Sequence, residues 1–489
     1  MAKYKCIICN QINEIANIDD IETCPSCGMS KEYLELTEEI EEIPVIEGPI
    51  PISKDNPGIQ RIEEKCIKCG YCVRVCRNDV TVSRMYELGI TKKPICINCG
   101  QCANYCPTEA ISEKLDYMKV LKLLKNKDKT VVFSFAPAVR VALGEEFGLE
   151  PGVNVDKKII SALKKLGAKY VFDITFGADL TVMEEAMELV NRIQENKNLP
   201  MFTSCCPAWI KYVEIFYPEL ISNLSTCKSP IAMQGSTIKT YFAKMKNINP
   251  ENLVNVVIAP CTAKKYEIRR DELNVTKRDT DFVLTTRELA RMIKENDINF
   301  LNLEDSEFDS PLGLGSGAGV IFGNTGGVAE AALRTAYHFI TNKDLKDEDL
   351  VFSSVRGMAG VKEAQIEIEG KVIKVAVLNG MKNAKNLIDK MKEEKLDYQF
   401  IEVMNCIGGC IAGGGQPKLT LLKMKDGKLK RIDGLYSEDE KMKKRVSYKN
   451  PDIIKIYKDF YGEVGSSLAH QYLHTSYKNK SYLLRGEDK

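Results

Sequence analysis

Two copies of one cysteine spacing constrain this chain more than any other feature: CIKCGYCVRVC at 66–76 and CINCGQCANYC at 96–106. Three cysteines at CxxCxxC spacing wrap one corner of an iron–sulfur cubane. The fourth lies too far along the chain to complete that corner and reaches the neighbouring cluster instead. The repeat therefore predicts two 4Fe–4S clusters, one on Cys66, Cys69, Cys72 and Cys106, the other on Cys96, Cys99, Cys102 and Cys76. Pro107 follows the last cysteine as the bacterial pattern expects, whereas Arg77 stands at the corresponding position of the first copy.

A further pair of CxxC turns precedes this repeat, CIIC at 6–9 and CPSC at 24–27. Cys6, Cys9, Cys24 and Cys27 offer four thiolates to one tetrahedral metal, a geometry that iron and zinc both accept. The run YKCIICN…CPSCGMSKEYLEL resembles the rubredoxin-like module, which implies one mononuclear iron; a structural zinc ribbon is the alternative. The acid- and proline-rich stretch TEEIEEIPVIEGPIPISKDNPG reads as a connection between the two modules.

The whole chain has 18 cysteines against 3 histidines, so its metals are expected on sulfur and not on imidazole. The N-terminus does not read as a signal peptide and no run of 18 apolar residues occurs, so the thiols are expected reduced, in a cytoplasmic protein with no membrane span. Lys+Arg 69 against Asp+Glu 68 leaves a net charge of +1, which argues against nucleic acid as a partner.

From about residue 120 onward, β-rich runs alternate with helix-patterned segments: TVVFSF, KYVFDIT, MFTS, LVNVVI, VIKVAVLN and YQFIEVM. This alternation predicts an α/β domain with largely parallel sheets, whose ligands bind at the carboxyl ends of the strands. Four of the runs lead directly into Ala136-Pro137, Cys205-Cys206, Ala259-Pro260-Cys261 and Asn405-Cys406. The predicted organisation is thus multidomain α/β: a rubredoxin-like module at 1–38, a linker at 39–57, a bacterial ferredoxin-like two-cluster module at 58–115, and a large catalytic domain at 116–489.

Spacing alone does not define a site for the six remaining cysteines, but their surroundings do. TSCCPAW (203–209), PCTAKKYE (260–267) and NCIGGCIAGGGQP (405–417) resemble the three signature segments of iron-only (FeFe) hydrogenases. The resemblance extends through FGADLTVMEEAMELV, NLSTCKSP, GVIFGNTGGVAEAALR and AHQYLHTSY. It implies an H-cluster, a 4Fe–4S cubane joined through one cysteine to a two-iron unit carrying CO, cyanide and a dithiolate bridge. By motif, Cys206, Cys261, Cys406 and Cys410 would hold the cubane, with Cys410 shared with the two-iron unit. Lys264 would donate to a cyanide. Pro137, Ala138, Ser229, Pro230, Ala259, Pro260, Phe322 and Met404 would surround the two-iron unit.

The resemblance also implies a proton relay of Cys205, Glu185, Ser225, Glu188 and Arg192. Glu185, Glu188 and Arg192 recur at spacings of three and four, hence on one face of a helix; read without the resemblance, Glu188 and Arg192 form a surface ion pair. Cys227 is expected to be a buried thiol, Trp209 a core residue, and His470 and His474 packing or capping residues. The glycine-rich run GLGSGAG (313–319) lacks the strand–turn–helix context of a nucleotide site.

Three positions depart from the family pattern. Ala259 stands where a methionine is usual, Ile231 where a glutamine is usual, and Ala138 where a serine is frequent. Losing a thioether, an amide and a hydroxyl changes the polarity around the metal. The smaller side chains also predict extra room, through which the Cys205 thiolate could close on an open iron position under oxidants.

The expected function is reversible reduction of protons to H2. Electrons would come from a small carrier such as ferredoxin or rubredoxin through the N-terminal iron sites, and the two-iron unit from dedicated maturation proteins. The alternatives are a slow H2-sensing relative and a noncatalytic iron–sulfur assembly protein.

Overall fold

The structure is a computed structural model, and it describes residues 2–8, 12–15, 18–24, 30–36, 48–394 and 396–487. Cys9 and Cys27 of the expected N-terminal metal site, and 39–47 of the expected linker, lie outside the described residues.

Three short strands open the chain: β1 (Ala2–Cys6), β2 (Ile12–Ile15) and β3 (Leu34–Leu36), antiparallel in the order β2-β1-β3. Cys6 closes β1, Cys24 is buried, and the Asn13 amide donates to the Cys24 sulfur at 3.5 Å.

Strands β4 (Ile59–Arg61) and β5 (Ile111–Glu113) pair antiparallel and bring the two ends of the cysteine repeat together. Between them the repeat is a duplication in space as well as in sequence. Helices Tyr71–Asn78 and Gln101–Asn104 each begin after a left-handed glycine, Gly70 (φ 75°) and Gly100 (φ 72°). Lys68 (φ 55°) and Asn98 (φ 61°), inside the two CxxC turns, are left-handed as well. Such turns aim successive N–H groups into one concavity, an arrangement suited to anionic sulfur.

The large domain contains two four-stranded sheets. The first is fully parallel, in the order β10-β9-β6-β7, from β6 (Thr130–Phe135), β7 (Tyr170–Asp173), β9 (Leu253–Ala259) and β10 (Phe282–Thr285). The second runs β11-β12-β13-β8, from β8 (Met201–Phe202), β11 (Val361–Ile368), β12 (Lys371–Asn379) and β13 (Phe400–Met404). In it β12, β13 and β8 are parallel, and only the edge strand β11 is antiparallel. β9 and β13 are buried at every residue, as parallel strands covered on both faces should be.

The 22-residue helix Ile174–Glu195 begins where β7 ends. Its N-cap Asp173 accepts from the Thr175 N–H at 3.0 Å and is paired with buried Arg140 at 2.7 Å. From Ile174 to Ala186 every residue of this helix is buried, so it is a core element, with polar partners inside the core for Asp179 and Glu184. Trp209 is fully buried, as expected.

The two-cluster module is locked onto the large domain. Arg287 donates to Glu113 at 2.6 Å, to the Asn104 side chain at 3.1 Å, and to the carbonyls of Gly414 and Gln416 at 2.9 and 2.6 Å. A Cβ on Gly100 would come within 3.2 Å of the Gly414 Cα, and one on Gly414 within 2.7 Å of the Gly100 Cα. The two backbones pass too closely for any side chain at either position. Among the described residues, no helix is long and apolar enough to cross a membrane.

Candidate active site and metal centres

Cys66, Cys69, Cys72 and Cys106 line one cavity, as the repeat predicts for the first cluster. Backbone N–H groups already point at the sulfurs: Ile50 at Cys72 (3.4 Å), Ile111 at Cys106 (3.3 Å) and Asn98 at Cys96 (3.3 Å). Burial, reinforced by Cys96, pushes the Cys76 thiol up to about 12, and burial raises Cys102 with contributions from Cys96 and Cys76. Cys72 adds to the rise of both Cys76 and Cys102, so the thiols of the two triplets lie within electrostatic reach of one another.

The remaining cysteines converge from separate strand ends. Cys206 caps the helix Pro207–Phe216 beyond β8, Cys261 follows β9, and Cys406 follows β13. Cys410 begins a short turn after Gly408 (φ 100°) and Gly409 (φ 95°). Gly409 has no room for a Cβ, which would sit 2.5 Å from the Thr325 nitrogen. The loop is thereby pinned to the 323–325 backbone, with Ile411 N–H donating to Gly323 O at 3.1 Å and Thr325 N–H to Gly408 O at 3.1 Å.

Burial raises Cys261 strongly, with Cys406, Cys206 and Cys410 adding to it, and pushes Cys406 to about 11 and Cys410 to about 12. Four thiols that close together, in an environment that penalises free thiolates, call for a metal group to take their charge. Among the described residues, these four cysteines do not place three sulfurs within 4.8 Å of one another, so they are set wider than one ion needs. The donor set thus fits a cubane better than a mononuclear ion. Two orphaned polar atoms, Ser229 Oγ and Asn405 Oδ1, are buried nearby in sequence to Pro230 and Cys406 without a hydrogen-bond partner.

Phe322 and Met404 pack in one apolar cluster with Ala178, Val182 and Cys205, with Cys206 and Cys410 at its margin. Pro137 and Ala138 follow β6, and Ala138 packs with Cys406 and Ile411. Ala259 and Ile231 pack in an apolar cluster with Ile174, Val257 and Val283, and Ala259 ends β9 just before Pro260 and Cys261. Ile231 also lines a small cavity with Glu267, the partner of Lys264. Pro230 and Pro260 are both buried, one opening the helix Pro230–Thr237 and the other following β9.

Lys264 is buried. Its ammonium donates to the Cys205 carbonyl at 3.0 Å and pairs with Glu267 at 2.9 Å. Burial alone would lower its pKa, but Glu267 and the thiols of Cys205 and Cys261 hold it above the ordinary lysine value. Glu267 went unnoticed in the sequence, although its spacing of three from Lys264 was a usable signal.

The five residues of the expected relay occupy one region. Glu185 is 1% exposed, and neither carboxylate oxygen has a hydrogen-bond partner. Burial, then the Glu188 charge, pushes it up to about 8, which the nearby Ser225 hydroxyl offsets only in part. Cys205 is raised by burial and next by Glu185. Ser225 Oγ donates to Glu188 Oε2 at 3.0 Å, and Arg192 donates to Glu188 Oε1 at 2.6 Å. Arg192 is also held by the Leu224 and Asn198 carbonyls at 2.8 and 3.1 Å. The Glu188–Arg192 pair does form at i,i+4, but both side chains are only about one-tenth exposed.

Sequence reasoning missed what surrounds this pair. His474 reaches back to Glu184 at 3.0 Å and to Thr226 at 2.7 Å, and the Cys227 thiol donates to Glu188 at 3.7 Å. His470 stacks on His474 with ring centroids 4.0 Å apart. His474 does follow the helix Ser467–Leu473 at its C-cap, as a capping role predicts, yet its ring is committed to the relay region.

Comparison with known proteins agrees with this geometry. Residues 129–414 match the C-terminal domain of the iron only hydrogenase large subunit, 425–480 the iron hydrogenase small subunit, and 65–111 a 4Fe-4S dicluster domain. Iron hydrogenase 1 of Clostridium pasteurianum is 44% identical over 433 residues, 85% of this chain and 75% of that protein. The periplasmic [Fe] hydrogenase large subunit of Nitratidesulfovibrio vulgaris is 46% identical over 364 residues, covering 73% of this chain and 86% of that one. A solved structure of a variant apo [FeFe]-hydrogenase from Chlamydomonas reinhardtii superposes with a TM-score of 0.67 at 42% identity, over 75% of this chain and 99% of that one. With its signature cysteines gathered at the strand ends and its dicluster domain packed against them, the chain belongs to the iron-only (FeFe) hydrogenases and is an oxidoreductase of that class.

Proposed function

We propose that the protein interconverts protons, electrons and H2 at an H-cluster held by Cys206, Cys261, Cys406 and Cys410, with Cys410 shared between the cubane and the two-iron unit. The bound group supplies the redox-active iron at which protons and electrons combine. The chain supplies the rest. Lys264, kept charged by Glu267, presents a buried cation suited to an anionic ligand such as cyanide. Pro137, Ala138, Ser229, Pro230, Ala259, Pro260, Phe322 and Met404 surround that unit and exclude water.

Protons would pass between solvent and the Cys205 thiol through Glu185, Ser225 and Glu188, with Arg192 fixing the outer carboxylate. The observation that carries this reading is Glu185. It is a buried carboxyl without a partner, raised to about 8 and electrostatically coupled to Glu188 on one side and Cys205 on the other. An acid that holds its proton near neutral pH and has no fixed partner is suited to passing it on.

Zinc on Cys6, Cys9, Cys24 and Cys27 would be structural only, whereas with iron there electrons would enter through that site. They would then cross the Cys66, Cys69, Cys72 and Cys106 cluster and the Cys96, Cys99, Cys102 and Cys76 cluster. A ferredoxin- or rubredoxin-type carrier in the cytoplasm would be the external partner, and maturation proteins would deliver the two-iron unit. The domain limits 1–38, 39–57, 58–115 and 116–489 follow this division of labour.

Anaerobically matured protein, assayed for iron and for H2 evolution from a reduced viologen dye, tests the reading. Rapid turnover at full iron loading is the expected result. Barely detectable turnover at full loading would overturn it in favour of the H2-sensing alternative, which the apolar replacements Ala259, Ile231 and Ala138 favour.

A further inference from the structure

Glu188, Cys227 and His474 are the one trio of metal-binding residue types, among the described residues, whose donor atoms all lie within 4.8 Å of one another. We propose that they form a site for a single zinc-type divalent cation at the outer end of the proton route, and that its occupancy shuts that route. The gating half of the inference rests on the relay proposed above; the binding half does not.

A thiol, an imidazole and a carboxylate are a borderline-soft donor set, suited to zinc and poorly suited to magnesium or calcium. The scaffold is firm. Cys227 and His474 face each other across an antiparallel bridge, held by Lys228 N–H to Leu473 O and Thr475 N–H to Thr226 O, both 2.8 Å. Glu188 comes from the long helix Ile174–Glu195.

The histidine is already oriented as a ligand. Its Nε2 contacts Glu184 Oε2 at 3.0 Å, and Glu184 is itself fixed by the Tyr457 hydroxyl at 2.5 Å and the Gly465 N–H at 3.1 Å. A carboxylate on one ring nitrogen is the usual support for a metal on the other. That other nitrogen, Nδ1, now meets only the Thr226 hydroxyl at 2.7 Å, a contact that rotation of one side chain releases.

Glu188 is divided in a similar way. Arg192 is on Oε1, whereas Oε2 accepts from the Thr226 N–H at 2.9 Å and the Ser225 hydroxyl at 3.0 Å, with the Cys227 thiol at 3.7 Å, so an ion on Oε2 must displace one of these donors. Zinc bonds of about 2.0–2.3 Å require donors roughly 3.3–3.8 Å apart; Cys227 Sγ and Glu188 Oε2 are already 3.7 Å apart, and no donor pair of the trio exceeds 4.8 Å. A cleft of about 280 Å³, lined in part by Glu184, Glu188, Thr226, His470 and His474, gives the ion access and leaves room for water as a fourth ligand. On binding, the Cys227 S–H bond breaks, its proton leaves to solvent, and a Zn–S bond forms. Two carboxylates, one thiolate, one guanidinium and the divalent ion then sum to zero charge.

With the ion on Oε2, Glu188 gives up a lone pair to the metal and its affinity for a proton arriving from solvent falls. The cation would therefore act as a reversible inhibitor of H2 turnover without touching iron.

The test uses matured holoenzyme dialysed anaerobically against zinc chloride, comparing wild type with Cys227→Ala and with His474→Gln. Wild type is expected to retain one zinc per chain more than either variant, which also cancels any zinc at the N-terminal cysteines. Saturating zinc is expected to lower viologen-driven H2 evolution by about 10²-fold, reversibly with EDTA, as loss of one acid–base group does. Cys227→Ala is expected to resist zinc: whatever its own starting rate, saturating zinc should change that rate less than about twofold. Equal zinc counts in all three proteins would overturn the site. An extra zinc without inhibition would overturn the gate. Matured protein with no H2 activity would instead defeat the hydrogenase reading, while the zinc count would still decide the site.

Discussion

Gln101 and Cys406 stand 305 positions apart, yet the Gln101 amide donates to the Cys406 sulfur at 3.1 Å and to the Ala412 carbonyl at 3.0 Å. One side chain thereby links the helix that follows Cys99 to a proposed cubane ligand. Hydrogen bonds to cluster sulfurs stabilise the reduced, more anionic state and raise the potential. Gln101→Leu should therefore lower the potential of the cubane by roughly 20–60 mV, taking the differential strength of the bond as about 0.5–1.4 kcal/mol. Redox titration followed by electron paramagnetic resonance checks this, with the other two clusters as internal controls.

Glu185 makes a prediction about pH. Its folded pKa of about 8 lies above the ordinary value of 4.5, so the native state binds the proton more tightly than the unfolded chain does. Its contribution to stability is greatest below pH 4.5 and declines as pH rises towards 8. Glu185→Gln keeps the shape and removes that titration. The variant should melt higher than wild type near pH 9, with little advantage near pH 5. Its H2 evolution should fall by about 10²–10⁴-fold. Anaerobic calorimetry and viologen assays across that range separate the two effects.

The sequence made some of this geometry legible and hid the rest. That Cys66, Cys69, Cys72 and Cys106 would gather at one cavity could be read from the cysteine repeat, because the chain fixes the short spacings within each copy. The strand ends at Phe135, Phe202, Ala259 and Met404 could be placed because β-rich runs stop at Pro, Cys or Asn, and parallel topology gathers those ends. What could not be read were contacts between segments far apart in the chain. No periodicity connects Gln101 to Cys406, or His474 to Glu184 across 290 positions. The Arg287 junction with Glu113 is hidden in the same way, since it joins residues 174 positions apart.

Lys264 and Glu267 form a buried pair at 2.9 Å with side chains 11% and 5% exposed. Replacing one partner of such a pair leaves the other charge uncompensated, at a cost of about 3–5 kcal/mol. Glu267→Gln should approach the lower end of that range, because the ammonium keeps the Cys205 carbonyl. A lowered chemical-denaturation midpoint of the holoprotein checks the stability loss. Lys264→Met with Glu267→Gln should recover much of it, since neither charge then remains.

The position of Cys205 bears on how the enzyme meets oxidants. Its backbone is held by Lys264, and its side chain packs with Ala178, Val182, Phe322 and Met404. Ala259 and Ile231 belong to a separate apolar cluster with Ile174, Val257 and Val283. For the Cys205 thiolate to reach an open iron position, the Lys264 contact must break and the Phe322–Met404 packing must reopen, both at a cost. Oxidised wild type and Cys205→Ser should accordingly show the same CO and cyanide infrared bands. A set of bands confined to oxidised wild type, and absent from the serine variant, would mean that the thiolate does close on the metal. In the cluster around Ile231, Ala259→Met should cost about 1–3 kcal/mol by overpacking against Ile231 and Val283. Pairing it with Ile231→Ala should relieve most of that cost, which a double-mutant cycle on denaturation midpoints would measure.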